Sequence, residues 1–199
     1  MGDSDRFRQN VNAPVLAIEA LVAGYTAPIV GPVDLNVSAG EIVGFVGPNG
    51  SGKTTVLNAI VGVARVFSGR ILRQEGIRVA VQQQRPVRLS EMPLTGREYL
   101  TLTSAHRRPT PDALVPLLPV RLDRLSGGQY QLLHVWACLG SPAELILLDE
   151  PTNNMDTEAI TALKELLLES RERGVGVVVV SHVRDLIDAV STRVVSIGS

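Results

Sequence analysis

Cysteine occurs once in this chain of 199 residues, at Cys138. A single thiol excludes an intramolecular disulfide and fits a reducing compartment. Set among apolar neighbours, it reads as core rather than as a reactive group. Net charge is also nearly absent: 19 Lys and Arg stand against 20 Asp and Glu, leaving −1. That balance gives no electrostatic case for nucleic-acid binding. Long apolar runs are missing too. The longest are strand-sized, so no segment is expected to cross a bilayer. Residues 1–13 are polar and lack an apolar core, so no secretory leader is expected, and residues 1–14 read as a flexible tail. No internal repeat or low-complexity tract appears. With 45% hydrophobic and 20% charged residues, the chain is globular and of single-domain size.

What the chain does carry is a glycine loop, Gly47-Pro48-Asn49-Gly50-Ser51-Gly52-Lys53-Thr54-Thr55. Residues 47–54 fit the phosphate-loop pattern G-x-x-x-x-G-K-[ST]. An apolar run at 41–46 precedes it as a strand, and residues 54–61 follow as a helix ending near Gly62. The glycines let backbone N–H groups turn inward toward phosphate oxygens, and the helix adds its positive end. Lys53 is placed to reach the β- and γ-phosphates, Thr54 to ligate Mg²⁺, and Thr55 to touch the α-phosphate. A glycine turn with an accidental lysine is the plain alternative, and the strand–loop–helix context disfavours it.

Leu145-Ile146-Leu147-Leu148 is a buried-strand run that ends in Asp149-Glu150. Adjacent carboxylates at a strand end are costly unless they meet cations or water. Asp149 is therefore assigned to Mg²⁺, directly or through water. Glu150 is assigned to the water that attacks the γ-phosphate. Without a phosphate loop upstream, a solvated acidic turn would be the better reading. A second apolar run at 175–180 leads to Ser181-His182, putting His182 on the strand edge where α/β sheets place ligands. Leu125-Ser126-Gly127-Gly128-Gln129, taken alone, is a Ser-capped helix start.

In this order and at this spacing, residues 47–55, 125–129 and 145–150 resemble the nucleotide-binding subunit of an ATP-binding cassette transporter. The resemblance covers nearly the whole chain from Leu16. It implies an α/β fold: a P-loop NTPase (RecA-like) core with an antiparallel β subdomain and a small inserted helical subdomain. It implies ATP and Mg²⁺ as cofactors, and ATP hydrolysis that energises a separate integral-membrane permease from the cytoplasmic side of the cell membrane. Ser126, the N–H groups of Gly127 and Gly128, and Gln129 would then grip ATP held by a second copy of the chain, which requires a two-fold homodimer. His182 is implied as the switch histidine contacting the γ-phosphate. Asp156 ends the loop 151–156 that works across the dimer. Capping of the helix at 157–173 is a compatible role for it. Gln84 is implied as the γ-phosphate sensor, a metal contact and the coupling point to the permease, with Gln82 the alternative. Tyr25 stands where the family stacks an aromatic on adenine, with a tyrosine in a turn beside Gly24 the alternative.

The chain also departs from the family pattern. Leu132 replaces an Arg, and Trp136-Ala137-Cys138 replaces an Ala-Arg-Ala run. These changes bear on helix packing and rate, not on the phosphate-binding groups. They leave a catalytically weak nucleotide-binding module as one alternative. A translation-factor type is another, because residues 149–156 resemble it, although such proteins carry two cassettes and a linker. A chromosome-type cassette needs a long coiled coil, and the segment between Gln84 and Leu125 is too short for one.

The domain is expected to run from 15 to 199, with a core at 15–85 and 140–199 and a helical subdomain at 86–139. Half of the 12 prolines fall between Pro86 and Pro119, which forbids one long helix there. Short helices are expected at 94–105 and 112–118, then one at 126–139. Turns are expected at Gly24, Pro28, Gly31-Pro32 and 38–40, a return strand at 77–81, a C-cap at Gly174 and a last strand at 193–197. The compact link at 69–84, followed by Met92-Pro93-Leu94-Thr95, resembles ATPases of zinc and manganese importers. An extracytoplasmic solute-binding protein is then a candidate third component.

Overall fold

In the computed structural model the chain is described over residues 14–83 and 93–198. The tail at 1–13 and Gln84 lie outside the described residues. Strands β1 (Leu16–Gly24), β2 (Pro28–Val37) and β4 (Arg65–Arg73) form an antiparallel sheet in the order β2-β1-β4. Strands β3 (Ile42–Val46), β5 (Val79–Gln82), β6 (Leu145–Asp149), β7 (Gly176–Val180) and β8 (Arg193–Ser196) form a parallel sheet in the order β5-β6-β7-β3-β8. The α-helices are α1 (Lys53–Ile60), α2 (Gly96–Leu102), α3 (Gly127–Leu139), α4 (Thr157–Glu172) and α5 (Arg184–Val190).

Parallel strands covered on both faces read as continuous apolar runs. β6 and β7 are buried at every position. The pleat sends alternate side chains to opposite faces. Ile146, Leu148, Val177 and Val179 therefore enter one core with Leu133 of α3, Leu163 of α4 and Ile187 of α5. Leu145, Leu147, Val178 and Val180 enter the other, with Val56 and Ile60 of α1 and Leu21 and Leu35 of the antiparallel sheet. The parallel register brings the carboxyl ends of β3, β6 and β7 to one common edge.

Several local expectations shift. The helix expected at 94–105 is only α2, seven residues long, which starts from a Thr95–Glu98 capping box. It ends before Ser104, whose φ of 62° is left-handed. The helix expected at 112–118 is a 3₁₀ segment, Asp112–Leu117, with Pro116 inside it. A proline lacks the N–H that an α-helical turn needs. Gly31-Pro32 lies within β2 rather than in a turn. The cap after α4 is Arg173, with Gly174 following at φ 77°, the usual place for glycine just past a helix end.

Trp136 is fully buried in α3. Room for it comes from small neighbours: a Cβ on Gly140 would lie 3.0 Å from both the indole and the Ala105 methyl. Nearby, His134 of α3 stacks between Tyr99 and Tyr130 and meets the Tyr99 hydroxyl. Burial holds its pKa down at about 4. Burial also pushes the Cys138 thiol up to about 12, so it stays protonated.

The indole N–H of Trp136 has no hydrogen-bond partner among the described residues. Removing it relieves a desolvation cost, whereas removing the ring opens a cavity. Trp136→Phe should stay within about 1 kcal/mol of the parent in urea unfolding followed by circular dichroism, and Trp136→Ala should lose about 3–5 kcal/mol.

Candidate functional site

β3 delivers the chain into the glycine loop at the carboxyl edge of the parallel sheet. Gly47, Gly50 and Gly52 adopt φ of 147°, 81° and 94°. At two of them space as well as conformation requires glycine. A Cβ on Gly47 would meet the Ile197 carbonyl at 2.3 Å, and one on Gly52 would meet Val30 at 2.4 Å. The curl lets Ser51 N–H donate to the Pro48 carbonyl at 3.2 Å. Lys53, buried at the start of α1, donates to the carbonyls of Gly47 (2.9 Å) and Pro48 (2.8 Å). The N-terminus of α1 carries no side-chain cap. Its first N–H groups are orphan donors facing the loop, which suits an anion.

The end of β6 meets this loop directly. The Thr54 hydroxyl donates to Asp149 Oδ2 at 2.8 Å. Asp149 is buried, and its Oδ1 has no partner among the described residues. Burial raises its pKa first of all, and the neighbouring Glu150 carboxylate adds to the rise. The Thr54 hydrogen bond and the Lys53 charge oppose it. Glu150 is buried with a left-handed φ of 50°, a conformation that costs a non-glycine residue about 1–3 kcal/mol. Its N–H donates to the Val180 carbonyl at 2.9 Å. Its Oε2 meets His182 Nδ1 at 2.8 Å and accepts from the His182 N–H at 3.3 Å. Residues far apart in sequence, Thr54, Asp149, Glu150 and His182, are thus gathered along one edge.

Ser126 is the N-cap of α3 and forms a reciprocal capping box with Gln129, at 3.2 Å and 3.0 Å. A Cβ on Gly128 would lie 2.5 Å from the Asn154 carbonyl, so glycine permits close approach to the loop after Glu150. The amide of buried Gln131 donates to the Pro151 carbonyl at 3.2 Å. The start of α3 is therefore packed on the 151–154 turn. Asp156 caps α4, accepting from Ala159 N–H at 2.8 Å. Tyr25 is exposed, and its hydroxyl accepts from Asn58 of α1 at 2.8 Å.

Gln82, the alternative to Gln84 as sensor, stands at the end of β5. It is fully buried, and its amide donates to the carbonyls of Asp149 (3.3 Å) and Gln83. A glutamine closing the run Val79-Ala80-Val81 was the available signal. The link from Gln131 to Pro151 was also missed, because the two residues approach only through tertiary packing.

A family model described as ABC transporter matches residues 30–153. The chain is similar to the zinc import ATP-binding protein ZnuC of Cereibacter sphaeroides, 36% identical over 180 residues, covering 85% of this chain and 73% of that protein. It is 39% identical over 187 residues to the protein of the same name from Paracoccus denitrificans, covering 88% and 72%. Among solved structures, an ATP-binding subunit of an ABC transporter superposes with a TM-score of 0.80 at 26% identity, covering 92% of this chain and 85% of that one. The α/β P-loop fold, with its antiparallel sheet and helical region, agrees with these neighbours.

The raised pKa of Asp149 has a sign that can be tested. A carboxyl that binds its proton more tightly when folded makes stability fall as pH rises above the unfolded value of about 3.9. Asp149→Asn removes that ionisation cost and keeps an acceptor for Thr54. In metal-free buffer at pH 7 the variant should melt roughly 2–4 °C higher than the parent for each kcal/mol relieved. The gain should vanish at pH 3 in calorimetry.

Proposed function

The chain belongs to the ATP-binding cassette (ABC) transporter family, and on that premise we propose how its residues divide the work of an ATP-hydrolysing subunit that drives a separate membrane permease. The loop Gly47-Pro48-Asn49-Gly50-Ser51-Gly52 holds phosphate oxygens through those of its backbone N–H groups not engaged within the loop, together with the uncapped start of α1. Lys53 turns from its loop carbonyls to the β- and γ-phosphates. Thr55 meets the α-phosphate, and Tyr25 stacks on adenine. Mg²⁺ fits at Thr54 and Asp149, since a hydroxyl and a carboxylate are hard oxygen donors and Asp149 Oδ1 is buried without a partner among the described residues. Bound there, the ion would neutralise charge on the phosphates.

Glu150 orients or deprotonates the attacking water. His182 holds the Glu150 carboxylate and reaches toward the γ-phosphate. Gln84 senses that phosphate, would supply a further oxygen to the metal and relays to the permease. Ser126, Gly127, Gly128 and Gln129 act on the ATP of a second copy, and Asp156 lies at that interface while capping α4. The observation that carries this reading is the convergence of Thr54 on Asp149 and of His182 on Glu150 at one sheet edge.

We read residues 15–199 as one domain, with its core at 15–85 and 140–199 and its helical subdomain at 86–139. Among the described residues no helix is long and apolar enough to cross a membrane, and docking on the permease would hold the subunit at the cytoplasmic face. The relatives are zinc import ATP-binding proteins, which favours zinc as the cargo; an extracytoplasmic solute-binding protein as its carrier belongs to the same proposal. Reconstitution with the permease and measured zinc uptake test that assignment.

Glu150→Gln should bind ATP as tightly as the parent and hydrolyse it roughly 10²–10⁴-fold more slowly, the span of general-base contributions. Lys53→Ala should lose nucleotide binding itself in a titration with a fluorescent ATP analogue. Parental hydrolysis by the first variant, or parental affinity in the second, would remove the respective assignment.

Composite sites predict complementation as well. Lys53→Ala and Ser126→Arg subunits, each inactive alone, should regain part of the parental ATPase when mixed, because one of the two sites in the mixed dimer is intact. Full activity of Ser126→Arg alone at any dilution would show that each chain hydrolyses ATP without its partner.

A further inference from the structure

Gln82 closes β5, and its side chain is fully buried. The residues before it, Val79, Ala80 and Val81, are aliphatic, and an aliphatic side chain would continue the strand at lower cost. Only the Nε2 end of the Gln82 amide is used. Its Oε1 is buried with no partner among the described residues, which costs about 1–3 kcal/mol. Stability therefore does not explain an amide here.

The two donated bonds of that amide have a particular geometry. The β5–β6 ladder ends at the Gln82–Leu148 pair. One residue further, where the ladder has stopped, Gln82 Nε2 donates to the Asp149 carbonyl at 3.3 Å and to the carbonyl of Gln83. The Asp149 carbonyl belongs to the same peptide unit as the Glu150 N–H, which donates to Val180 on β7 at 2.9 Å. That peptide plane is thus held from β5 on one side and from β7 on the other. Its orientation sets the torsion about the Glu150 N–Cα bond, the left-handed φ of 50°. A strained torsion persists only where its surroundings over-determine it. The bond from Gln82 is long for an amide donor, so it adds little energy. What it supplies is direction.

The geometry points to Gln82 as a positioning residue for hydrolysis: it fixes the Asp149–Glu150 peptide plane so that the Glu150 carboxylate stays on His182 and faces the reacting phosphate. This rests on the role given to Glu150 above. Gln82 itself touches no substrate. Releasing the plane lets Glu150 relax toward an ordinary conformation and swing its carboxylate away, and small misplacements of a catalytic group are costly in rate.

The test uses the intact chain with Gln82→Met, which matches length, and Gln82→Val, which continues the aliphatic strand should Met overpack. Either variant should keep the parental melting temperature or exceed it, bind a non-hydrolysable ATP analogue with parental affinity, and lose roughly tenfold in kcat. The loss should disappear in the Glu150→Gln background: Gln82→Val/Glu150→Gln should turn over no more slowly than Glu150→Gln alone, as expected for two residues acting as one unit. Parental kcat in a folded Gln82→Val protein would overturn the inference, as would an equal loss of analogue affinity or a loss that adds in full to that of Glu150→Gln. Parental hydrolysis by Glu150→Gln would instead overturn the role of Glu150, a result separable from either outcome at Gln82.

Discussion

A carboxylate buried at the end of an apolar strand is the constraint around which the rest of this molecule is arranged. Asp149 follows four fully buried aliphatic residues and is itself buried. A charge in that position needs partners. One is the Thr54 hydroxyl, the second residue of α1. This contact forces the glycine loop to lie against the end of β6, which in turn requires β3 and β6 to share a parallel sheet with only β7 between them. The loop glycines, the close packing of Gly52 on Val30 and of Gly47 on Ile197, and the position of the antiparallel sheet all follow from closing that gap.

The Asp149 Oδ1, which has no partner among the described residues, and the strained Glu150 beside it are what a purely structural site would have eliminated. Apolar replacements would relieve both costs. Strain and unsatisfied buried groups are tolerated where chemistry requires them, and one of each lies here on consecutive residues at the carboxyl edge of the sheet. The same edge is tied to the helical region through main-chain contacts. Gln131 reaches the Pro151 carbonyl, and Gly128 lies against Asn154. The start of α3 and the turn after Glu150 are therefore packed directly on each other. Under the proposed function, a change at the phosphates would have this contact as its route to the lobe proposed to meet a permease. The departures in α3 do not break that route. Trp136 is accommodated by Gly140 and Ala105, and Leu132 is buried in the core.

Much of this was legible in the amino-acid sequence because it is local. The apolar runs at 145–148 and 175–180 became β6 and β7, the glycine loop lies between β3 and α1, and Ser126 and Asp156 are helix caps. Each depends on residues within a few positions of one another, where propensity, capping and turn chemistry decide. The less local expectations fared worse. The proline-rich stretch yielded a shorter α-helix and a 3₁₀ segment. Gly31-Pro32 lies within β2, where the pairs on either side, Val30 with Ala23 and Val33 with Leu21, carry the strand across a break in register.

The motif order, the phosphate loop, the acidic strand end and hence the family were determined by sequence alone, since covalent spacing on a strand or a helix start already sets which groups point together. Only the tertiary structure decided that Thr54 bonds to Asp149, that His182 holds Glu150, and that Gln82 and Val180 grip one peptide plane from opposite sides. Those contacts join strands distant in the chain. Their distances follow from how two cores close on the two faces of one twisted sheet, a collective property of packing that no short window of residues contains.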